Sequence, residues 1–408
     1  MGKIKPELRF EGFDGDWVEK RLSEIAERIT RKNINLESSN PLTISAQHGL
    51  VSQTDYFNWQ VASKNLSNYY LLYNGDFAYN KSYSSGYPVG TVKRLEFYDK
   101  GVLSTLYIIF KPTNADSNFL KHYYETKHWY SEIDKIAEEG ARNHGLLNVS
   151  PMGFLEKKIY ISKSNFEQKK IGLLFEKIEK NLKLRKNELN KLKQYKQAML
   201  EKMFPREGET VPEIRFAGFT DPWEQRKLKE VAEIVGGGTP STGNPEYWDG
   251  DIDWYSPTEI GNHIYANGSK KKITELGLEK SSAKILPQDK TVLFTSRAGI
   301  GDMAILQHPG ATNQGFQSLV LNEGIDTYFI YSMGHLIKKY AEKNASGSTF
   351  LEISGKVLGE MPILLPSNNE QIQIGSFFKS IDNLITLHQR KLKKLENMKR
   401  AYLDKMYI

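Results

Sequence analysis

The chain of 408 residues has no cysteine. That excludes disulfides, thiolate nucleophiles and Cys-ligated zinc or iron–sulfur centres, and it agrees with a reducing compartment. No apolar run approaches the ~18 residues of a membrane span. The opening Met1-Gly2-Lys3-Ile4-Lys5-Pro6 carries charge where a signal peptide needs an apolar core, so a cytoplasmic protein is expected. The eight histidines include no pair at metal-ligand spacing on one helix face, and His122 with His128 reads as a surface-helix coincidence, so no metal is expected. Gly355-Lys356-Val357 lacks the upstream glycine and the hydroxyl of a phosphate loop. Gly299-Ile300-Gly301-Asp302-Met303-Ala304 has the outline of a dinucleotide fingerprint, but Pro309 stands where its helix should run. The Asn/Asp-Pro-Pro-aromatic mark of an amino-methyltransferase pocket is missing as well. No catalytic residue is assigned; the alternative is a stand-alone nuclease or methyltransferase with an unrecognised active site.

What the chain does have is charge in two places and sequence in two copies. Glu167–Met203 carries +6 and Glu370–Ile408 carries +4 of a total of +7, leaving the remainder near −3. Pro6-Glu7-Leu8-Arg9-Phe10-Glu11-Gly12-Phe13 with Trp17 recurs as Pro212-Glu213-Ile214-Arg215-Phe216-Ala217-Gly218-Phe219 with Trp223, at a constant offset of 206, and 11 of the 24 pairs from Pro6 to Ile29 are identical. Glu167-Gln168 and the stretch to Met203 recur as Glu370-Gln371 and the stretch to Met406, at an offset of 203. Each half is one unit: an opening motif, a variable domain and a closing basic segment.

The closing segments are helical by period. Ile171, Phe175, Ile178, Leu182, Leu189 and Leu192 follow a 4-3 rhythm, and so do Ile374, Phe378, Ile381, Ile385, Leu392 and Leu395. Polar residues break both seams at matching slots, Arg185 and Lys196 in one and His388 and Lys399 in the other, as register-setting exceptions do in coiled coils. Helices of roughly 55 Å exceed what a small domain can cover. The two are therefore expected to pair with each other, antiparallel if the halves are related by a pseudo-twofold axis, rather than each merely covering its own domain.

The variable stretches 30–165 and 235–369 read as mixed strands and short helices with weak mutual similarity. Tyr79-Asn80-Lys81-Ser82 matches Thr295-Ser296-Arg297-Ala298 loosely. One scaffold with different loop side chains is what two readers of different sequences need, because Arg and Lys discriminate guanine, Asn and Gln adenine, and Ser and Thr either. The candidate DNA-contacting residues are Gln47, Asn80, Lys81, Ser82, Arg142 and Asn143 in the first domain. In the second they are Gly237, Gly238, Thr239, Ser256, Thr258, Ser296, Arg297, Asn313 and Gln314, with the glycine run offering backbone amides to phosphate.

The Pro-Glu-Leu-Arg-Phe-x-Gly-Phe opening, the tandem halves and the Glu-Gln-x-x-Ile-Gly-x-x-Phe start of each long helix resemble the specificity subunit of type I restriction-modification systems. Gly238-Thr239-Pro240-Ser241, Asn244-Pro245-Glu246-Tyr247-Trp248 and Thr312-Asn313-Gln314-Gly315 resemble that family's target-recognition domain; the first domain departs from it, with Thr30-Arg31-Lys32 where the second has glycines. The resemblance implies an α+β fold with target-recognition domains at 1–165 and 206–369 and spacer helices at 166–205 and 370–408. It implies a non-catalytic subunit that reads an asymmetric bipartite double-stranded DNA target. It also implies two modification (methyltransferase) subunits that methylate adenine and restriction subunits that translocate and cut, with S-adenosylmethionine, ATP and magnesium on those partners and no cofactor on this chain.

Overall fold

The computed structural model describes residues 4–57, 61–63, 65–137, 146–261, 263–297, 299–347 and 351–408. They form two compact units, one of residues 1–186 with 391–408 and the other of residues 187–390.

The strands of the first unit are β1 (Val18–Arg21), β2 (Ala26–Arg28), β3 (Leu42–Ser45), β4 (Gly49–Ser52), β5 (Tyr70–Tyr73), β6 (Phe77–Asn80), β7 (Thr91–Arg94), β8 (Lys100–Leu103), β9 (Ile108–Pro112) and β10 (Lys158–Ile161). Its helices are α1 (Leu22–Ile25), α2 (Gln53–Phe57), α3 (Ser117–Tyr123), α4 (Tyr130–Ile136), α5 (Pro151–Glu156) and the start of α6 (Asn165–Lys202). The second unit holds β11 (Glu224–Lys227), β12 (Ala232–Gly236), β13 (Trp248–Tyr255), β14 (Tyr265–Ala266), β15 (Lys271–Ile273), β16 (Thr291–Phe294), β17 (Met303–Leu306), β18 (Gly310–Thr312), β19 (Gln317–Leu321) and β20 (Pro362–Leu365). Its helices are α7 (Leu228–Val231), α8 (Glu275–Glu279), α9 (Thr327–Ser332), α10 (Gly334–Asn344), α11 (Gly355–Gly359) and the start of α12 (Asn368–Met406).

Each unit has its own sheet, and the two sheets repeat one strand order. The first has the order β2-β9-β6-β7; the second repeats it as β12-β19-β16-β17 and adds β14 at the edge. Phe77 faces Phe110, which faces Arg28; Val292 faces Leu319, which faces Ile234, the repeat mate of Arg28. Phe77 is therefore equivalent to Val292, Tyr79 to Phe294, Asn80 to Thr295, Lys81 to Ser296 and Ser82 to Arg297. The loose match made on sequence is off by one residue. In a strand that error exchanges the two faces, and here the buried Tyr79 belongs with the buried Phe294.

The duplicated motifs lock each unit shut. β1 pairs antiparallel with β10 and β11 with β20, so the opening strand of each half joins the strand that precedes its long helix. Arg9 donates to both carboxylate oxygens of Glu167 at 2.7 and 2.8 Å, and Arg215 does the same to Glu370. Both carboxylates are fully buried, which requires such two-pronged, charge-assisted partners. Asp116 and Asp326 cap α3 and α9 through Phe119 N and Phe329 N, and their own amides donate to Gln168 Oε1 and Gln371 Oε1. A β-carbon on Gly375 would lie 2.2 Å from Asp326 Oδ1 and one on Gly172 2.7 Å from Asn118 Cβ, so only glycine lets the helices approach this closely.

The long helices do two jobs along their length. Ile171, Phe175 and Ile178 sit in the first unit's own core with Trp17 and Phe119, so the early turns of α6 do cover their domain, contrary to the expectation of pure helix pairing. Ile374, Phe378, Ile381 and Ile385 are buried in the second unit. Leu182, Leu192, Leu392 and Leu395 are half-buried and Leu189 is buried. Within the first unit Lys399 donates to Glu179 at 2.7 Å and Lys186 lies 3.3 Å from Glu396; within the second Lys196 reaches both oxygens of Asp382 at 2.6 and 2.8 Å and His388 lies 3.7 Å from Glu188. In both units the partner numbers fall along one helix as they rise along the other, so the segments run antiparallel. Lys196 and Lys399 are repeat mates, as are Glu179 and Asp382, so one ion pair is made twice. The helix tails finish the cores. Met406 and Tyr407 are buried in the first unit, with Tyr407 Oη donating to Phe119 O at 3.0 Å, and Phe204 packs on Trp223, Phe329 and Phe378 in the second.

Candidate nucleic-acid interface

In the second unit six loops meet at one end of the sheet β15-β13-β18. Tyr255 pairs with Thr312 and Trp254 with Lys271, so Ser256–Thr258, Asn313–Gly315 and Ser269–Lys270 emerge together. Asn313 N donates to Tyr255 O at 3.0 Å, Gly238 N to Thr312 O at 2.9 Å, and Thr239 Oγ1 to Gln314 Oε1. Ser296 N donates to Gly315 O at 2.8 Å, and Ile353 N to Ser296 O at 3.1 Å, which brings in Glu352. Gly237, Gly238, Thr239, Ser256, Thr258, Ser296, Arg297, Asn313 and Gln314 thus lie on loops tied to one another.

Their donors and acceptors are unequally available. Asn313 Oδ1 accepts from Gly315 N at 2.8 Å, and Ser256 Oγ donates to Glu259 Oε2 at 2.8 Å. The Gly238 amide is taken by Thr312, and its carbonyl accepts from the buried Trp254 Nε1 at 2.8 Å. The glycine run is therefore not an open phosphate cradle at Gly238. Its glycines serve close packing, since a β-carbon on Gly237 would lie 2.1 Å from Asn313 O. Sequence reading passed over Lys270 and Glu352. The Lys270-Lys271-Lys272 run was visible, whereas nothing marked Glu352, which reaches the site only by folding. Lys271 Nζ sits 5.5 Å over Trp248, and Lys272 lies 3.2 Å from Asp253. Burial pushes the Asp253 carboxyl up, but hydrogen bonds from Ser269 and the Lys272 charge outweigh it and hold it below its ordinary value.

In the first unit Asn80 ends β6 and its Oδ1 accepts from Ser82 N at 3.0 Å. Lys81 O accepts from Leu147 N at 3.0 Å, the counterpart of the Ser296–Ile353 bond, and Ser82 bridges Leu146. Arg142 and Asn143 lie outside the described residues. Gln47 is elsewhere. It is exposed on the β3–β4 turn and lines a cleft of about 230 Å³ with Phe77, Arg94, Lys121 and Glu179. Phe77 and Arg94 mark the opposite end of β6 and β7 from Asn80, roughly 10 Å away at ~3.3 Å per residue. The structure groups Asn80, Lys81 and Ser82 but not Gln47 with them.

Among the described residues His122, Glu125 and Glu179 bring ligand atoms within 4.8 Å of one another. Lys399 Nζ already bridges Glu125 at 2.8 Å and Glu179 at 2.7 Å. Burial would raise the Glu125 carboxyl, but His122 and Lys399 hold it far below its ordinary value; burial would lower the Lys399 ammonium, but Glu125 and Glu179 raise it. The cluster is an ion-pair network that joins α12 to α3 and α6.

Duplicated antiparallel sheets, each sealed by an opening arginine and a closing long helix, with dissimilar loops at the strand ends, make the chain a tandem of two like units. Residues 220–397 match the family described as Type I restriction modification DNA specificity domain. It is 36% identical over 180 residues to the specificity subunit of the type I restriction enzyme MjaIX of Methanocaldococcus jannaschii, a match covering 43% of this chain and 41% of that one. It is 31% identical over 170 residues to the EcoR124I/EcoR124II specificity subunit of Escherichia coli, covering 40% and 41%. The matched stretch thus spans about two-fifths of each relative. In fold it is similar to the type I S subunit of M. genitalium, with a TM-score of 0.61 at 13% identity over 99% of both chains. It is also similar to a chain from a type I restriction-modification assembly, with a TM-score of 0.56 at 18% identity over 98% and 99%.

Proposed function

We propose that this chain is the specificity subunit of a type I restriction-modification complex, non-catalytic itself, which reads an asymmetric bipartite DNA target and directs adenine methylation and cleavage by partner subunits. The observation that carries this reading is one sheet register used twice with different residues at the strand end: Asn80-Lys81-Ser82 against Thr295-Ser296-Arg297. A scaffold held constant while its loop chemistry changes suits two half-sites of different sequence. Target-recognition domains at 1–165 and 206–369 carry the readers, and the helices at 166–205 and 370–408 act as the spacer.

The partners are two modification subunits, which hold S-adenosylmethionine, and restriction subunits, which use ATP and magnesium. The outward faces of the helices are their docking surface. On α6, Phe166, Leu173 and Leu184 are at least half exposed and recur every 7 or 11 residues, which stacks them on one side of the helix. No described helix is long and apolar enough to cross a membrane, and the DNA partner places the protein in the cytoplasm. The test is binding of the purified chain to DNA across a salt series, with methylome sequencing of a host that also expresses the modification partner. One bipartite motif and a linear fall of log affinity with log salt are expected. Methylation or cleavage by the isolated chain would contradict the non-catalytic assignment.

A further inference from the structure

Arg297 and Glu352 stand side by side in the second unit without satisfying each other. Arg297 Nη1 lies 4.0 Å from Glu352 Oε2, beyond hydrogen-bond reach, and the two side chains are 35% and 39% exposed. Glu352 receives one weak bond, from Ser296 Oγ at 3.4 Å. Arg9, Arg31, Arg94 and Arg215 all donate to side-chain acceptors within their own fold. Arg297 makes no hydrogen bond to a described residue, so among the described residues its planar fork has no partner beyond the Glu352 carboxylate 4.0 Å away. A loop arginine 4.0 Å from a half-exposed carboxylate presents donors and an acceptor next to each other on one surface.

The pair belongs to one unit alone. By sheet register Arg297 corresponds to Ser82, and by the matching Leu147–Lys81 and Ile353–Ser296 bonds Glu352 corresponds to Leu146. What the scaffold needs is duplicated in this chain, as with Arg9 and Arg215, Gln168 and Gln371, Lys196 and Lys399. A charged pair found once, at the strand end where the halves diverge, is not part of that scaffold.

We infer that Arg297 and Glu352 together read one G·C base pair in the half-site of the second domain, Arg297 donating to guanine O6 and N7 and Glu352 accepting from the N4 amino group of the paired cytosine. Along the major-groove edge a G·C pair offers two acceptors and then a donor, and an A·T pair offers no such order. The carboxylate sharpens the choice, because an unpaired carboxylate facing the thymine O4 acceptor is repelled. The first unit, with Ser82 and Leu146 at these places, makes no such reading. The inference rests on the proposed DNA-recognition function and adds a base pair to it.

The test is methylome sequencing of a host expressing the full chain with its modification partner, for wild type, Arg297→Ala, Arg297→Lys and Glu352→Gln. Wild type is expected to show at least one G·C pair in the second half-site. Arg297→Ala should lower discrimination at that one position by roughly 5- to 150-fold and leave all other positions of both half-sites intact. Arg297→Lys should retain part of it, and Glu352→Gln should relax the same position toward A·T, since an amide offers a donor as well as an acceptor. Unchanged motifs in Arg297→Ala and Glu352→Gln, effects at two different positions, or a second half-site with no G·C pair would each overturn the inference while leaving bipartite recognition standing. Failure of the recognition function itself looks different: wild type then shows no bipartite motif. A variant that does not methylate at all is compared by binding to the wild-type site and to a site changed only at the G·C pair; equal relative preference to wild type would count against the pairing.

Discussion

Lys157 makes the stability of the first unit depend on pH. It is 1% exposed, and its ammonium lies 4.8 to 5.5 Å over the rings of Tyr123, Tyr124 and Phe154 without a hydrogen-bond partner among the described residues. Burial pushes its pKa down from 10.5 to about 7, with Glu132 opposing weakly. Between those values the unfolded chain keeps a proton that the folded chain has released, so stability must rise with pH. The slope is about 1.4 kcal/mol per pH unit, or about 3 kcal/mol from pH 7.5 to 9.5. Buried tyrosines such as Tyr123 and Tyr124, raised by their own burial, stay protonated in the fold and reverse the trend only near pH 10 and above, where unfolded tyrosine ionises. The perturbation is Lys157→Met, close in volume and without the charge. Urea unfolding of both proteins at several pH values, followed by tryptophan fluorescence, gives the difference between them, in which other titrating groups cancel. The variant should be the more stable at pH 7.5, and its advantage should shrink by about 3 kcal/mol by pH 9.5. An advantage that does not change with pH refutes the buried-ammonium account.

Three further outcomes are expected. Removing one member of a duplicated part-buried ion pair, as in Asp382→Asn, strands the Lys196 charge and should destabilise the second unit by roughly 2 kcal/mol, read as a shifted unfolding midpoint; Tyr328 Oη, which donates to the same carboxylate at 2.9 Å, loses that charge-assisted bond. Four helical residues inserted after Asn187 together with four after its repeat mate Arg390 should lengthen both helices by ~6 Å and widen the methylated bipartite motif by about two base pairs at ~3.4 Å each, whereas insertion at Asn187 alone should break the register set by Lys196 and Lys399 and lower expression and activity; an unchanged gap in the double insertion counts against the spacer. Replacing 235–369 by the matching segment of a similar specificity subunit should change one half-site in the methylome, and a change in both contradicts modular recognition.

The duplication was the legible part of this fold, because what repeats at a fixed offset here is what packs: Arg9 on Glu167, Gln168 on Asp116, Gly172 against α3. The helices were legible from their period, but not the division of labour along them. An apolar stripe says that something covers it, and Ile178 and Leu189 look alike in sequence although one meets a domain core and the other lies among the helix-pairing turns. Loop chemistry was legible only as a set. Arg297 and Asn313 are equally good candidates on paper, yet folding engages Asn313 Oδ1 with Gly315 and gives the arginine fork no hydrogen bond to a described residue. Gln47 failed for a simpler reason: a polar residue in a turn carries no mark of which end of the sheet its turn occupies. Glu352 lay beyond sequence reading because 56 residues separate it from Ser296, its hydrogen-bond partner.

The burial of Tyr407 among Trp17, Phe119 and Phe175 bears on how such a chain is made. A ribosome emits the sheet of the first unit early and Tyr407, which plugs its core, only after the whole of 187–390 has emerged. Until then the nascent first unit exposes an aromatic hole, a surface for chaperones to hold. A stop codon just before Tyr407 would therefore damage the half of the protein that was synthesised before 187–390.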